Sequence, residues 1–506
     1  LPGGPYRDKY NWTFVVNGRP VFVKGANWCT MDPLMDFSRD RYDRFLSLAA
    51  AQHVQLLRAW GSGMPETDDF YDLCDRKGIM VLQEWPTAWN SHKEGWQPYD
   101  VLEETVRLNT LRLRNHPSLV MWGGGNESGE PFGRAIDMMG RYSVELDGTR
   151  PFHRGEPWGG SRHDYNCWWG KAPLDNNLSL TADFLGEFGI ASMPVLESVL
   201  RYLPDDEKHL WPAPEDGSFA HHTPVFNQKE DVARLKQYSG YFSRGASLEE
   251  FIRGSQFAQA TGVRHTLELA RTRWPECSGA LYYKLNDNYP AASWSTVDWY
   301  GAPKAGYYFI QDAFEPLHAC VLLDTFNVAG KSVSLPVYLL DDNDDLEGSS
   351  WAVRVRAYDA TLAEVAQTKY IGSGTEGPVK HVGEFSLHPT QTQSVPLLMV
   401  VEVWKDGVRA DRTFYWLNFE AEPGCLFSLP STNLEIRARD SGTVTVTNTG
   451  SRPAVGVVIE KAGEADTFYA SDGYFWLDPG ESCNVEVDRT DGVSARALNA
   501  PDAAMP

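Results

Sequence analysis

A carboxylate placed where a buried strand ends is the first feature that suggests chemistry. Glu127 follows Asn126 at the end of the stretch Leu-Val-Met-Trp-Gly-Gly-Gly (119–125), which predicts a strand and a glycine-rich turn. Polar residues at the carboxyl ends of strands are the ones that do chemistry in a β/α barrel. Glu127 is therefore our candidate general acid/base, which would protonate a leaving oxygen. The alternative is a loop glutamate without a role.

Glu187 is the second candidate carboxylate. It lies in Phe-Leu-Gly-Glu-Phe-Gly (184–189), where apolar neighbours and glycines favour a partly desolvated position. Two carboxylates flanking one bond are what glycoside hydrolysis needs, so Glu187 is our candidate nucleophile. The alternative is a buried structural ion pair with a barrel arginine.

Further polar and aromatic residues near strand ends are candidates for substrate binding. Arg58 could hold the carboxylate of Glu187 ionised, and Asn126 could contact a sugar hydroxyl. Structural alternatives remain open, namely ion pairs for Arg58 and Glu84 and core packing for Trp294. The substrate-binding candidates are Arg58, Trp60, Glu84, Asn126, Asn286 and Trp294. A second tier comprises His163, Asp164, Tyr165, Asn166 and the loop tryptophans Trp89, Trp96, Trp158, Trp168 and Trp169.

Alternating strands and helices are the elements that must position these residues. After a predicted hairpin at 13–24, strand and helix patterns alternate eight times, which predicts a (β/α)8 TIM barrel over residues 13–316. Glu127 would follow strand four and Glu187 would end strand seven. The predicted strands are 21–28, 54–60, 79–82, the run before Asn126, 151–156, 164–169, 182–187 and 279–285.

The rest of the chain has a different period. Beyond residue 316 apolar residues alternate with a period of two, and Asp, Gly and Asn mark the turns. This pattern predicts two immunoglobulin-like β-sandwiches, at 317–421 and 422–506. Pro336 and Pro396 are expected just before strands. Residues 1–12 are expected to be a linker or the edge of a preceding domain.

Composition excludes several classes of partner. The net charge of −22 argues against nucleic acid and anionic membranes, which both reward basic patches. The seven cysteines form no C-x-x-C pair, so we expect mostly buried free thiols, no zinc site and no disulfide framework. No motif resembles a P-loop, a Rossmann glycine fingerprint or a metal cluster, so we expect no cofactor. We expect no membrane span. The acidic pI near 5.0 and the lack of a signal pattern favour the cytoplasm, but secretion stays open because the chain begins abruptly.

Several motifs together resemble glycoside hydrolase family 2, and among its members the β-mannosidase-like branch. The stretch 14–27 resembles the entry to that family's barrel. Other similar motifs are Arg-Ala-Trp-Gly (58–61), Tyr-Asp-Leu-Cys-Asp (71–75), Gln-Glu-Trp (83–85), Trp122–Glu127, Gly-Glu-Phe-Gly (186–189) and Leu-Asn-Asp (285–287). The resemblance covers about 13–316 and implies a retaining mechanism on an oligosaccharide or glycoside, with Glu127 as acid/base and Glu187 as nucleophile. The tail resembles the sandwich domains of this branch.

Two positions depart from the β-mannosidase pattern. Glu84 stands where these enzymes usually have Asp, and Lys284 stands where they usually have Gln. The family also usually has two domains before its barrel. We therefore expect either a fragment or N-terminal domains on a separate or removed segment, which could complete the pocket.

Other functions stay open from the sequence. Another family 2 exo-glycosidase is possible, such as an exo-β-glucosaminidase, for which an acidic Glu84 could pair with an amino sugar, or a β-galactosidase. From a different class, a non-catalytic carbohydrate-binding protein would bind sugar without turnover. The identity of the terminal sugar that is cleaved distinguishes a β-mannosidase from the other exo-glycosidases. Turnover of any glycoside would rule out the non-catalytic carbohydrate-binding protein.

Overall fold

The computed structural model describes residues 12–89, 95, 98–127, 129, 131–175, 182–223, 228–374, 376–461 and 468–505. The predicted linker at 1–12, apart from Trp12, and the candidate Trp96 lie outside the described residues. The chain divides into two compact units. The first comprises described residues of 12–165, 182–189 and 273–289, and the second comprises those of 166–175, 190–272 and 290–505.

The first unit contains a short hairpin and an eight-stranded parallel sheet. The hairpin pairs β1 (Phe14–Val16) with β2 (Arg19–Val21), and Asn17 and Gly18 have φ of 52° and 82°, as the predicted type I′ turn requires. The parallel strands are β3 (Val23–Trp28), β4 (Leu56–Ala59), β5 (Met80–Glu84), β6 (Leu119–Gly123), β7 (Phe152–His153), β8 (Ser161–Asp164), β9 (Phe184–Phe188) and β10 (Gly279–Tyr282).

The order of the strands is that of a (β/α)8 barrel. The sheet runs β7-β6-β5-β4-β3-β10-β9-β8, so its two outer strands are consecutive in the chain. The predicted fold class is confirmed. The helices of this unit are α1 (Arg39–Ala51), α2 (Asp68–Lys77), α3 (Tyr99–Leu113) and α4 (Arg134–Tyr142), followed by a π-helical turn at Ser143–Asp147. Gly78 ends α2 with φ of 70°, which glycine adopts at low cost.

The core of the sheet is apolar at its amino-terminal end and polar at its carboxyl-terminal end. Val23, Leu56, Leu82, Phe184 and Leu281 are buried together in one cluster below the polar layer. Strands buried on both faces carry such near-continuous apolar runs. The polar side chains at the opposite strand ends are thereby held on a rigid base.

The second unit contains the remaining helices and all later strands. Its helices are α5 (Leu196–Tyr202), α6 (Ser218–His221), α7 (Gln228–Phe242), α8 (Leu248–Thr272), α9 (Ala305–Phe314) and, after the barrel, α10 (Pro389–Thr392). In the described residues no helix combines the length and the apolar composition needed to cross a membrane.

The strands after α9 form two pairs of sheets. Three- and four-stranded sheets alternate, in the orders β11-β12-β15, β14-β13-β16-β17, β18-β19-β22 and β21-β20-β23-β24. The first pair consists of β11 (Leu317–Val321), β12 (Val333–Asp341), β13 (Ser350–Tyr358), β14 (Glu364–Ser373), β15 (Val379–Leu387), β16 (Leu397–Lys405) and β17 (Val408–Leu417). The second consists of β18 (Leu434–Asp440), β19 (Thr443–Asn448), β20 (Ala454–Lys461), β21 (Phe475–Leu477), β22 (Ser482–Glu486), β23 (Val493–Ala497) and β24 (Ala500–Ala504).

Two local predictions were wrong. Strand six was expected at 164–169, but β8 ends at Asp164, because Trp168 is buried by stacking on Tyr238 (5.6 Å) in a turn rather than by a ladder. Pro336 lies inside β12, next to a register shift between Val337 and Tyr338, and not before the strand. Pro396 does precede its strand. All seven cysteines are free thiols, as predicted. The domain boundaries stay a prediction.

Candidate active site

The two candidate catalytic carboxylates lie at the carboxyl-terminal edge of the barrel sheet, one after β6 and one on β9. Glu187 belongs to β9 and is buried, whereas Glu127 lies in the loop after β6 with 39% of its side chain exposed. Glu127 has φ of 49°, the left-handed region that non-glycine residues enter rarely and mostly under constraint. Its backbone N–H donates to the carbonyl of Glu156 at 2.5 Å, which fixes that conformation.

Glu187 is held from two sides. Nη1 of Arg58 donates to Oε1, and the hydroxyl of Tyr165 donates to Oε2 at 2.9 Å. These two charge-assisted hydrogen bonds fix the position and orientation of the Glu187 carboxylate. The contact between Arg58 and Glu187 that the sequence predicted is present.

Arg58 organises the floor of the site. It is fully buried, and its Nε and Nη2 donate to the two oxygens of Glu84 at 2.9 and 2.8 Å. It also donates to Oδ1 of Asn27 and Oδ1 of Asn126, both at 2.7 Å. Burial lowers the pKa of Arg58, but the negative charges of Glu84 and Glu187 raise it by more, so the pKa is raised overall.

Glu84 is saturated by the protein. Besides the bidentate pair with Arg58, its Oε2 accepts the backbone N–H of Gly61 at 2.7 Å, and the side chain is fully buried. Burial raises its pKa, and the charge of Arg58 opposes that rise. This geometry favours the ion-pair alternative for Glu84 over contact with a sugar hydroxyl.

His163 joins the two candidate catalytic residues. Its Nδ1 lies 3.1 Å from Oε1 of Glu127 and 3.5 Å from Oε2 of Glu187, and its Nε2 lies 3.5 Å from Oε1 of Glu156. Burial favours the neutral ring, but the charge of Glu187 and the bonds to Glu127 and Glu156 raise the pKa of His163 to about 9. The hydrogen bond from His163 lowers the pKa of Glu127.

Glu156 supports His163 from below. It is buried, and it accepts hydrogen bonds from Nε2 of His153 at 2.9 Å and from Oγ of Ser161. Burial alone would raise its pKa, but the hydrogen bonds from His153 and His163 lower it overall. Because His153 is on β7 and Ser161 is on β8, Glu156 links the two outer strands of the sheet.

Aromatic rings surround the carboxylates. The ring centroid of Trp60 lies 5.6 Å from that of Tyr283 and 6.2 Å from that of Trp89, and Tyr165 lies 6.2 Å from Tyr283. Nε1 of Trp89 donates to Oε2 of Glu127 at 3.0 Å. Such rings offer apolar faces to the C–H side of a pyranose while their polar edges stay hydrogen-bonded.

The site also contains a set of potential metal ligands. One ligand atom each from Glu127, His163 and Glu187 lie within 4.8 Å of one another. A protonated His163 would compete with a cation at this set. A second set, Asp72, Asp75 and His116, lies on α2 and before β6, and Asp75 bonds His116 at 2.7 Å. Sequence spacing missed both sets because their members come from separate elements.

The structure brings most, but not all, of the predicted residues together. Arg58, Trp60, Glu84, Asn126, Glu127 and Glu187 lie in the first unit around one site. Asn286 instead bonds the backbone of Cys29 in both directions (2.8 and 3.2 Å), which favours a structural role. Trp294 is buried in the second unit with its ring edge-on to Trp168 at 5.4 Å, so its contact with substrate stays a prediction.

Sequence reasoning undervalued or missed several residues at this site. His163, Tyr165 and Trp89 were second-tier candidates, and Glu156 and Tyr283 were not singled out. Glu156 and Tyr283 each stand within a few residues of a predicted strand end, and that position is the signal that could have found them.

Comparison with known proteins identifies the barrel. Residues 10–168 match the model of the glycosyl hydrolases family 2 TIM barrel domain, a stretch that includes Arg58 and Glu127. This part of the chain is similar to glycosyl hydrolase family 2. Proteins similar to the chain include β-mannosidase B of Emericella nidulans, 28% identical over 62% of this chain and 41% of the relative. β-Mannosidase B of Aspergillus flavus is 25% identical over 96% of this chain and 62% of the relative.

Solved structures agree with the fold of this chain. The β-D-mannosidase of Dictyoglomus thermophilum superposes with a TM-score of 0.82 at 22% identity, covering 98% of this chain and 62% of that one. The exo-chitosanase of Amycolatopsis orientalis superposes with a TM-score of 0.80 at 18% identity, covering 98% and 65%. The chain therefore spans between about two fifths and two thirds of the length of these relatives.

Proposed function

We propose that this chain is the catalytic part of an exo-acting, retaining glycoside hydrolase of the β-mannosidase type. Glu187 is the nucleophile, and Glu127 is the acid/base. The reaction passes through a covalent glycosyl-enzyme intermediate in two displacement steps. The observation that carries the proposal is the shared contact of both carboxylates with Nδ1 of His163, at 3.1 and 3.5 Å.

The separation of the carboxylates supports retention of configuration. One oxygen of Glu127 and one of Glu187 lie within 4.8 Å of each other. Retaining enzymes hold their two carboxyl groups about 5–5.5 Å apart, whereas inverting enzymes leave about 6.5–9.5 Å for a water molecule. The short separation leaves room for direct attack by Glu187 on the anomeric carbon.

In the first step a Glu187 oxygen forms a bond to the anomeric carbon, and the bond to the leaving oxygen breaks. The hydrogen bonds from Arg58 and Tyr165 orient Glu187 for this attack. Glu127 gives its proton to the leaving oxygen. In the second step Glu127 takes a proton from water, which attacks the anomeric carbon and releases Glu187 as a carboxylate.

His163 couples the charges of the two steps. In the free site the negative charge of Glu187 is a main reason that the pKa of His163 rises to about 9. When Glu187 becomes a neutral ester this charge disappears, and the pKa of His163 falls. Glu127, 3.1 Å from His163, has by then given its proton to the leaving oxygen and acts as the base of the second step.

The sugar is assigned to the mannose class on the names of the relatives. Those at 25–28% identity include fungal β-mannosidases B and the β-mannosidase of Capra hircus. An exo-β-glucosaminidase or a β-galactosidase is the alternative. Glu84 was expected to pair with the amino group of an amino sugar. This argument for a glucosaminidase is weakened, because both oxygens of Glu84 already accept hydrogen bonds from Arg58 and Gly61.

A panel of p-nitrophenyl glycosides tests the proposal. The β-mannoside, β-glucosaminide, β-galactoside, β-glucoside and α-arabinoside are incubated with the chain and with Glu187→Ala. We expect turnover of the β-mannoside, lowered roughly 10⁴-fold or more in Glu187→Ala. Turnover of another glycoside alone would refute the mannose assignment. Sugar binding without turnover of any glycoside would favour a non-catalytic carbohydrate-binding protein.

A further inference from the structure

The outer face of one sandwich sheet carries a groove unrelated to the candidate active site. The groove has a volume of about 1030 Å³ and is open to solvent along the sheet β14-β13-β16. We call the residues of this face the platform. The platform consists of Ala352, Arg354, Gln367, Lys369, Ile371 and Trp404.

An apolar row crosses the platform. Ala352 on the central strand is paired in register with Ile371 on one side and Trp404 on the other, so the three side chains share one face. Ile371 is 76% exposed, Trp404 is partly exposed, and the small Ala352 forms the floor between them. With strands about 4.8 Å apart, the row is about 10 Å long, enough for two linked sugar rings.

A row of like charges lies beside the apolar row. Arg354 and Lys369 are direct cross-strand partners, an arrangement that destabilises a sheet unless an anion lies nearby. Glu402 also faces Arg354, but it is hydrogen-bonded to Arg412 at 2.8 Å and lies 4.0 Å from Arg354. Its charge is shared among Arg354, Arg356, Arg409 and Arg412.

The surrounding ion pairs leave a local excess of positive charge. The carboxylates that reach these arginines are Glu402, Asp478 and Glu481, while the cations are Arg354, Arg356, Lys369, Arg409 and Arg412. Asp478 and Glu481 bind Arg356, Arg409 and Arg412, at distances from 2.5 to 3.4 Å. Among the described residues, Arg354 and Lys369 of the platform are thus the cations of this group that neither Asp478 nor Glu481 reaches, on a chain whose net charge is −22.

We propose that the platform binds an acidic oligosaccharide, with the C–H faces of two sugar rings on the Ile371–Ala352–Trp404 row. Arg354 and Lys369 would bind the carboxylate or sulfate of the saccharide, since a guanidinium matches such groups bidentately. Oε1 of Gln367 accepts from Arg354 at 3.2 Å, which leaves its amide N–H groups for sugar hydroxyls.

Calorimetric titration of the whole chain tests the platform. The probes are a short oligomannuronate, a neutral oligomannoside and sodium sulfate, and the Glu187→Gln background prevents turnover. We expect binding of the oligomannuronate that weakens with added salt. Trp404→Ala and the pair Arg354→Gln with Lys369→Gln should each weaken it roughly ten-fold, or about 1.4 kcal/mol. Lys331→Gln, an exposed lysine of the same sandwich outside the platform, should leave it unchanged.

Several outcomes would overturn the inference. Binding of the neutral oligomannoside that equals that of the oligomannuronate, is independent of salt and is lost in Trp404→Ala would show that the platform does not select charge. Binding unchanged in both platform variants would place the saccharide elsewhere. Self-association that is lost in Trp404→Ala, measured by light scattering, would show that a second copy covers this face. The inference does not depend on the proposed hydrolase, so the glycoside panel and this titration fail separately.

Discussion

Nδ1 of His163 lies 3.1 Å from Oε1 of Glu127, so the candidate acid/base faces a titratable ring. The same nitrogen lies 3.5 Å from Oε2 of Glu187. A change in the charge of either carboxylate therefore changes the electrostatic environment of the other through the imidazole that both contact. This coupling leads to the first prediction, on pH.

The raised pKa of His163 predicts an alkaline loss of both activity and stability. A group whose folded pKa exceeds its unfolded value stabilises the fold fully below the unfolded pKa, near 6.5, and loses that contribution as pH rises through about 9. We expect kcat/KM and the free energy of unfolding to fall over this range. In His163→Gln the alkaline fall in both should be absent. An identical pH profile in the variant, measured with the best glycoside of the panel, would contradict the coupling.

Removing the acid/base should affect the two chemical steps unequally. In Glu127→Ala a p-nitrophenolate leaving group needs no proton, so the glycosyl-enzyme should still form while its hydrolysis slows by about 10²–10⁴-fold. We expect a burst of nitrophenol followed by slow turnover, and a low KM. Added azide should restore turnover by replacing the activated water. Glu127→Gln is the size-matched control and should show the same burst. Full steady-state activity in either variant would remove Glu127 from the mechanism.

Replacing Arg58 should destabilise the barrel strongly. Arg58→Met leaves Glu84 and Glu187 buried without their cation, and breaking a buried ion pair from one side costs about 3–5 kcal/mol. Urea unfolding followed by far-UV circular dichroism measures the loss. Adding Glu84→Gln to this variant should recover part of the stability, because one buried charge is then removed. A loss that is the same in the single and double variants would show that the charge on Glu84 is not the cause.

Two glycine-to-alanine changes should have opposite effects. A Cβ at Gly186 would lie 2.0 Å from Oε1 of Glu156, so Gly186→Ala must displace Glu156 from Ser161 and lower the melting temperature. Gly240, within α7, has nothing within 4 Å of the same position. Gly240→Ala should therefore raise stability by about 0.5–1 kcal/mol through helix propensity. Scanning calorimetry of both variants checks the pair, and a stable Gly186→Ala would refute the close contact.

The sequence predicted the elements of this site better than its contacts. Glu127, Glu187 and Arg58 could be singled out as candidates because a position at a strand end is visible in apolar runs and glycines. The contact between Arg58 and Glu187 followed because parallel strands share one carboxyl edge. Glu156 was missed because its role depends on which residues face it from two other strands, and that information is not local.

The errors in the fold have a related cause. The aromatic run ending at Trp168 has strand propensity, but propensity is overridden when a turn buries the ring against a helix, here by Tyr238 of α7. The saturated state of Glu84 was equally hidden, since one of its bonds comes from the backbone N–H of Gly61. A hydrogen bond from a backbone N–H cannot be predicted from the type of the residue that donates it.

Glu156 connects β7 and β8, the two strands between which the barrel closes. In the described residues 152–164 no backbone ladder joins these two strands; the side chains of His153, Glu156 and Ser161 join them instead. Glu156 has a lowered pKa, so it stabilises the fold above its unfolded pKa, and this contribution is lost as pH falls through its folded pKa. The barrel is thus closed between β7 and β8 by the ionised carboxylate of Glu156, which lies next to His163. Protonation of Glu156 in acid would break its contacts with His153, Ser161 and His163. Closure of the barrel and the position of the imidazole that contacts both candidate catalytic carboxylates therefore depend on the same proton.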